Sequence, residues 1–168
     1  MSFSSNERWC TDCAVRPVQF GAVNNVHDAV STLLQSVGQR YTGSRRAVVN
    51  VLADEGRPMT LPEILARQPD LAQSSAYRNL AELEQAGVVR RIITTDEHSH
   101  FELAEDLTGH HHHHLICTDC GAVTDFAVAG DLEEQIERSA SAVARKHGFV
   151  VDAHRLDLVG RCTDCVGS

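Results

Sequence analysis

Lysine is nearly absent from this chain of 168 residues: of its 15 basic side chains, Lys146 alone is not an arginine. Arginine forks phosphates and reads guanine better than lysine does, although a GC-rich genome produces the same bias. No apolar run approaches the roughly eighteen residues that cross a bilayer, and the opening MSFSSNERWC has no hydrophobic secretion segment. These absences predict a cytoplasmic protein with reduced cysteines and no membrane partner. The His-Glu-x-x-His spacing of zinc hydrolases is also missing. A catalytic zinc needs an open position and a general base beside it, and nothing here supplies that pair, so we read the chain as no enzyme.

Net charge is −8, which at first argues against nucleic acid, but the acid is unevenly spread. Residues 26 to 95 carry eight Arg against seven Asp or Glu, about +1, whereas residues 96 to 168 carry five basic and fourteen acidic residues, about −9. The first half can meet DNA; the acidic half must do something else.

That half contains the run HHHHHLICTDC, residues 110 to 120, where five histidines lead into a Cys-x-x-Cys. Imidazole and thiolate are the donors that borderline metals prefer. Cys162 and Cys165 repeat the spacing of Cys117 and Cys120 after 41 intervening residues, and the four thiolates can close a tetrahedral structural zinc site. A disulfide inside a Cys-x-x-Cys would be strained. A third pair, Cys10 and Cys13, has no partner in view and is read as part of a loosely patterned tail.

In chain order, Val26, Val30, Leu33 and Val37 mark one helix face, stopped by Gly38. Thr42 can cap a second helix with Ala47, Val48, Val51 and Leu52 inward and Arg45 and Arg46 outward. Thr60 with Glu63 has capping-box spacing and opens a third. Ser74 or Ser75 can cap a fourth, with Ala76, Leu80 and Leu83 buried and Ser75, Tyr77, Arg78 and Asn79 offered to a major groove. Val88 to Thr95 reads as a strand that turns at Asp96-Glu97 and returns through His100 to Leu103. Helices followed by a hairpin predict a winged helix-turn-helix. A polar link, residues 104 to 109, then leads to the histidines.

Side chains alternate along a strand, so an extended 110 to 117 sends His112 and His114 one way and His111 and His113 the other. One strand can then feed two sites. His98, His100 and Glu102 share a face, so either histidine with Glu102, His112 and His114 makes one candidate. Asp131 can cap a long helix ending at His147-Gly148, placing Glu133 or Glu137 with His154 near His111 and His113 as the second. A purification tag is the dull account of a histidine run, but this run is internal and flanked by strand residues.

The ordered set Tyr41-Thr42, Arg45-Arg46, Ser75-Ala76-Tyr77-Arg78-Asn79-Leu80, Ala86-Gly87-Val88-Val89, Phe101-Glu102-Leu103, HHHHHLICTDCG, Lys146-His147-Gly148-Phe149 and Gly160-Arg161-Cys162-Thr163-Asp164-Cys165 resembles the ferric uptake regulator superfamily from about residue 26 onward. The resemblance implies an α+β chain with a winged-helix DNA-binding domain over 26–103 and a small α/β metal-binding dimerisation domain over 104–168, behind an extension over 1–25. It implies a homodimeric, metal-dependent repressor that binds double-stranded operator DNA. Structural zinc would sit on Cys117, Cys120, Cys162 and Cys165, and regulatory metal on Glu102, His112 and His114 and on His111, His113, an early helical Glu and His154. The run resembles that of the zinc-uptake branch, so zinc comes first as regulatory metal, with iron, manganese or peroxide response as the alternative and a zinc enzyme or storage module beyond that. Two departures each remove a ligand: Arg57-Pro58-Met59 replaces a histidine before the third helix, and Ala104, Glu105 and Asp106 replace a sensor cysteine. His100, then His98, are the nominated replacements.

Overall fold

The computed structural model describes residues 26–94 and 99–167; the Cys10 and Cys13 pair, the turn at Asp96-Glu97 and His98 lie outside the described residues. Four helices come first. α1 (Val26–Ser36) buries Ala29, Val30 and Leu34, and Val37, past its end, is exposed rather than inward. α2 (Gly43–Glu55) starts where the Thr42 hydroxyl accepts from the Arg45 N–H and stops at Gly56, whose φ of 60° suits glycine. After the two-residue strand β1 (Met59–Thr60), α3 (Leu61–Arg67) opens on a complete capping box: Thr60 accepts from the Glu63 N–H while the Glu63 carboxylate accepts from the Thr60 N–H.

α4 (Gln73–Gln85) begins two or three residues earlier than capping by Ser74 or Ser75 predicts, behind Ala72 and without a side-chain cap. Packing compensates: Ala76, Leu80 and Leu83 are buried against α2 and α3, and each fully buried Leu contributes about 1.5–3 kcal/mol, more than a cap supplies. β2 (Val89–Ile93) and β3 (Ser99–Leu103) form an antiparallel pair with β1 on the other edge, giving the order β1-β3-β2. Helices plus this small sheet form the winged helix-turn-helix, and the hydrophobic core runs through it from Val30 to Leu103.

The link expected over 104 to 109 is partly helical: α5 (Glu105–Thr108) ends at Gly109 with φ 71°. β4 (His113–Cys117) pairs antiparallel with β5 (Val123–Phe126) and parallel with β6 (Asp157–Gly160). Between them runs α6 (Gly130–Lys146), preceded by Ala129; Asp131 lies inside its first turn and is not the cap. A last turn, α7 (Thr163–Val166), closes the described chain. The second half buries little for itself. Val143, Phe149, Val150 and Val159 are all at least 60% exposed, and a 790 Å³ groove runs along the apolar side of α6. No helix among the described residues is long and apolar enough to cross a membrane.

Candidate metal centres

The parallel register of β4 and β6 sets Cys117 opposite Gly160, so the two Cys-x-x-Cys turns leave the same end of the sheet side by side. Their four Sγ atoms lie within 4.8 Å of one another, and Cys120 and Cys162 are 3.8 Å apart. Four sulfurs around zinc at about 2.3 Å stand about 3.8 Å apart along each tetrahedral edge, whereas a disulfide needs about 2.05 Å. The donors fit zinc. Backbone N–H groups, first that of Cys162 and then those of Cys120 and Asp119, pull the Cys117 pKa down to about 6, which favours the thiolate that ligation needs. Hydrogen bonding to Cys162 and Cys120 pushes the Cys165 thiol up, as expected where four thiols share little negative charge.

Histidines along 111 to 114 then divide between two clusters. In the first, His112 Nε2 and His114 Nε2 lie 2.9 and 3.3 Å from the same oxygen of Glu102, and Asp125 completes the donor set within 4.8 Å. The Nδ1 side of His112 meets the His110 carbonyl at 3.3 Å, and that of His114 meets Asp157 at 3.3 Å. Those partners can hold a proton on Nδ1, so that release of the Nε2 proton, which each ring donates to Glu102 while no metal is bound, leaves both Nε2 lone pairs facing the cluster as metal ligation requires. Burial opposes the charge on Glu102, but hydrogen bonds from His114 and His112 prevail and hold its pKa below the ordinary value. His112 is shifted up: burial resists, and the Glu102 hydrogen bond and charge outweigh it. Burial raises Asp125.

The second cluster gathers His111, His113 and His154 around Glu133 at the start of α6. His113 Nε2 is 3.0 Å from one Glu133 oxygen; His154 Nε2 and His111 Nε2 are 2.7 and 3.3 Å from the other. Burial works against the Glu133 carboxylate, and the His113 hydrogen bond with the charges of His111 and His154 brings its pKa below normal. Buried Glu102 Oε1 and Asp125 Oδ1 in the first cluster have no hydrogen-bond partner. Unpartnered buried carboxylate oxygens are costly unless a cation joins them, and each cluster brings imidazole and carboxylate donors within 4.8 Å of one another, so both fit a divalent metal.

Several expected placements are corrected. His100 is buried in β3 but is not among the first cluster's donors; it stands two residues, or about 6.6 Å along the strand, from Glu102. Asp125 enters instead, directly across β4–β5 from His114. Strand pairing through the first knuckle was the available signal for it: a tight turn at Cys117 to Cys120 forces that register. Glu133, not Glu137, joins the second cluster, and Glu137 lines the adjoining cleft. Arg45 does not face outward. It is 7% exposed and paired with Glu82 of α4, the Arg40 carbonyl and Gln39, because an N-terminal-turn arginine is long enough to reach under α2. Asn79 is likewise buried, since it follows Ala76 by three and precedes Leu83 by four on the core face. Ser75, Tyr77, Arg78 and Arg46 are exposed, with the Arg46 guanidinium 4.7 Å over the Tyr41 ring.

Known proteins agree with this architecture. Residues 36–159 match the pattern of the ferric uptake regulator family. A ferric uptake regulation protein of Cupriavidus metallidurans is 32% identical over 139 residues, covering 79% of this chain and 92% of the relative. The peroxide operon regulator of Bacillus subtilis is 29% identical over 148 residues, covering 86% and 95%. Among solved structures, the Vibrio cholerae ferric uptake regulator superposes with a TM-score of 0.61 at 30% identity, covering 79% of this chain and 98% of that one. A winged helix, an α/β second half and two histidine clusters joined by one strand thus occur in a chain that belongs to the ferric uptake regulator family.

Proposed function

We propose that this protein is a homodimeric, metal-dependent repressor that binds operator DNA through α4 and controls metal-ion homeostasis. One observation carries the reading: the first cluster takes Glu102 from the winged-helix sheet and His112, His114 and Asp125 from the second sheet. A cation held there would favour one relative orientation of the halves, and operator binding would tighten it reciprocally. Exposed Arg46, Ser75, Tyr77 and Arg78 supply the guanidinium, hydroxyl and aromatic contacts, while Arg45 and Asn79 act from behind as packing. The apolar groove along α6 is the surface that a second copy would cover, and the boundary between functional units falls near Leu103.

Zinc belongs on the four cysteines. For the first cluster, two carboxylates with two imidazoles and no sulfur shift our reading from zinc toward ferrous iron or manganese, since harder oxygen donors suit those ions. Three imidazoles and a carboxylate in the second cluster retain zinc as the second reading. The test is elemental analysis before and after mild chelation, alongside DNA binding by fluorescence anisotropy. Expected are one zinc per subunit that survives, and one or two equivalents that leave and take DNA affinity with them. Retention of full DNA affinity by the chelated protein would refute metal-dependent repression.

A further inference from the structure

Between the two clusters stands a carboxylate that belongs to neither. Glu105, the first residue of α5, has one oxygen 2.6 Å from His111 Nδ1 and the other on the guanidinium of Arg90. Arg90 also lies 3.8 Å from Glu102, a donor of the first cluster. A continuous chain therefore runs from Glu102 through Arg90 and Glu105 to His111, whose far nitrogen faces Glu133 and His154. Arg90 sits on β2, five residues after α4 ends at Gln85, and β2 packs against that helix, so this chain passes through an element that touches the reading helix.

We propose that Glu105 is a positioning residue that couples the second cluster to the winged helix. One oxygen orients the His111 ring with its Nε2 toward the cluster, and the other holds Arg90, so that loading of the second cluster stiffens the attachment of β2. An isolated surface ion pair would do neither, but Glu105 is 21% and Arg90 28% exposed, and both of the Glu105 oxygens are engaged. This inference rests on the metal-dependent reading above and names how one of its sites reports to DNA.

The experiment compares the full chain, with its structural zinc retained, as wild type, Glu105→Gln and Arg90→Met. Each is titrated with Co²⁺ against a competing chelator, with and without a labelled duplex selected from a random pool by the metal-loaded wild type. Wild type should bind its weaker cobalt more tightly when DNA is present. Glu105→Gln should hold that cobalt about 10–100-fold more weakly, the range for loss of a partner to a ligating histidine. Arg90→Met should hold it within about threefold of wild type in the absence of DNA, yet lose the tightening by DNA. The ratio with and without duplex removes any general loss of DNA affinity from the missing arginine charge, and melting of the zinc-only forms checks that both variants fold. If Arg90→Met keeps the full tightening, the coupling is overturned whatever Glu105→Gln does to cobalt affinity. If wild type shows no cobalt-dependent DNA binding, the reading of the whole protein fails, an outcome distinct from failure of the relay alone.

Discussion

Arg45 and Arg78 are the same residue type in one domain, and the structure gives them opposite work. Arg45 is enclosed with Glu82 and two polar groups, so Arg45→Ala leaves partly buried acceptors without a donor and should lower unfolding stability by about 1–3 kcal/mol in denaturant melts. Arg78 is exposed on α4; Arg78→Ala should leave the melting midpoint and metal content unchanged while abolishing specific DNA binding in an anisotropy titration. Their difference was not legible from spacing, because an arginine in a first helical turn can lie outward or fold back, and a partner 37 positions away decides which. Asn79 could have been placed: its offsets from Ala76 and Leu83 put it on the core side. Asp125→Asn tests the residue that sequence reading passed over. It should weaken loading of the first cluster by at least about tenfold, seen by chelator competition, with the cysteine-bound zinc undisturbed.

At the level of elements, β4 with its approach is the organiser: its two faces serve separate clusters, and its end begins the first knuckle. Alternation, capping of α2 and α3, and the paired knuckles could be read from residues 42, 60 to 63 and 110 to 165 because each depends on local spacing. The starts of α4 and α6 could not, since neither has a side-chain cap and burial decides where they begin. Charge around β4 gives a pH prediction. In the metal-free protein, the raised His112 pKa contributes stability that is complete below the unfolded value of about 6.5 and disappears as pH rises through the higher folded value. The lowered Glu102 pKa contributes stability present above about 4.5 and lost as pH falls through its depressed value. Melts of metal-free protein should therefore show this pair stabilising most between about pH 4.5 and 6.5. Metal loading runs the other way, because ligation needs neutral His112; cobalt affinity should begin to fall on acidification while the pH is still above about 6.5.

For the molecule as a whole, stability is lopsided. A continuous hydrophobic core supports the winged helix, whereas the second half has few buried apolar residues and leaves the groove along α6 open. On the proposed reading of a zinc-bearing homodimer, a strong chelator should accordingly remove the second-half transition in calorimetry and shift sedimentation to the monomer, while helical signal from the first half persists. The division of labour by charge, nearly neutral first and strongly acidic second, was visible in composition; how the halves meet was not, because it depends on Glu102 and Asp125 converging from different sheets.

The histidine run has a further property. Four of its five members lie in the two candidate clusters, and they are placed by counting back from Cys117; His110 is exposed and contributes its backbone carbonyl to His112. Loss of one histidine codon would still leave imidazoles at all four positions, with Gly109 taking over the carbonyl. Gain of one would add a spare at the far end and lengthen the tether from α5. Gain or loss of one histidine codon, ordinarily ruinous to a binding site, would here change only the slack between the two halves.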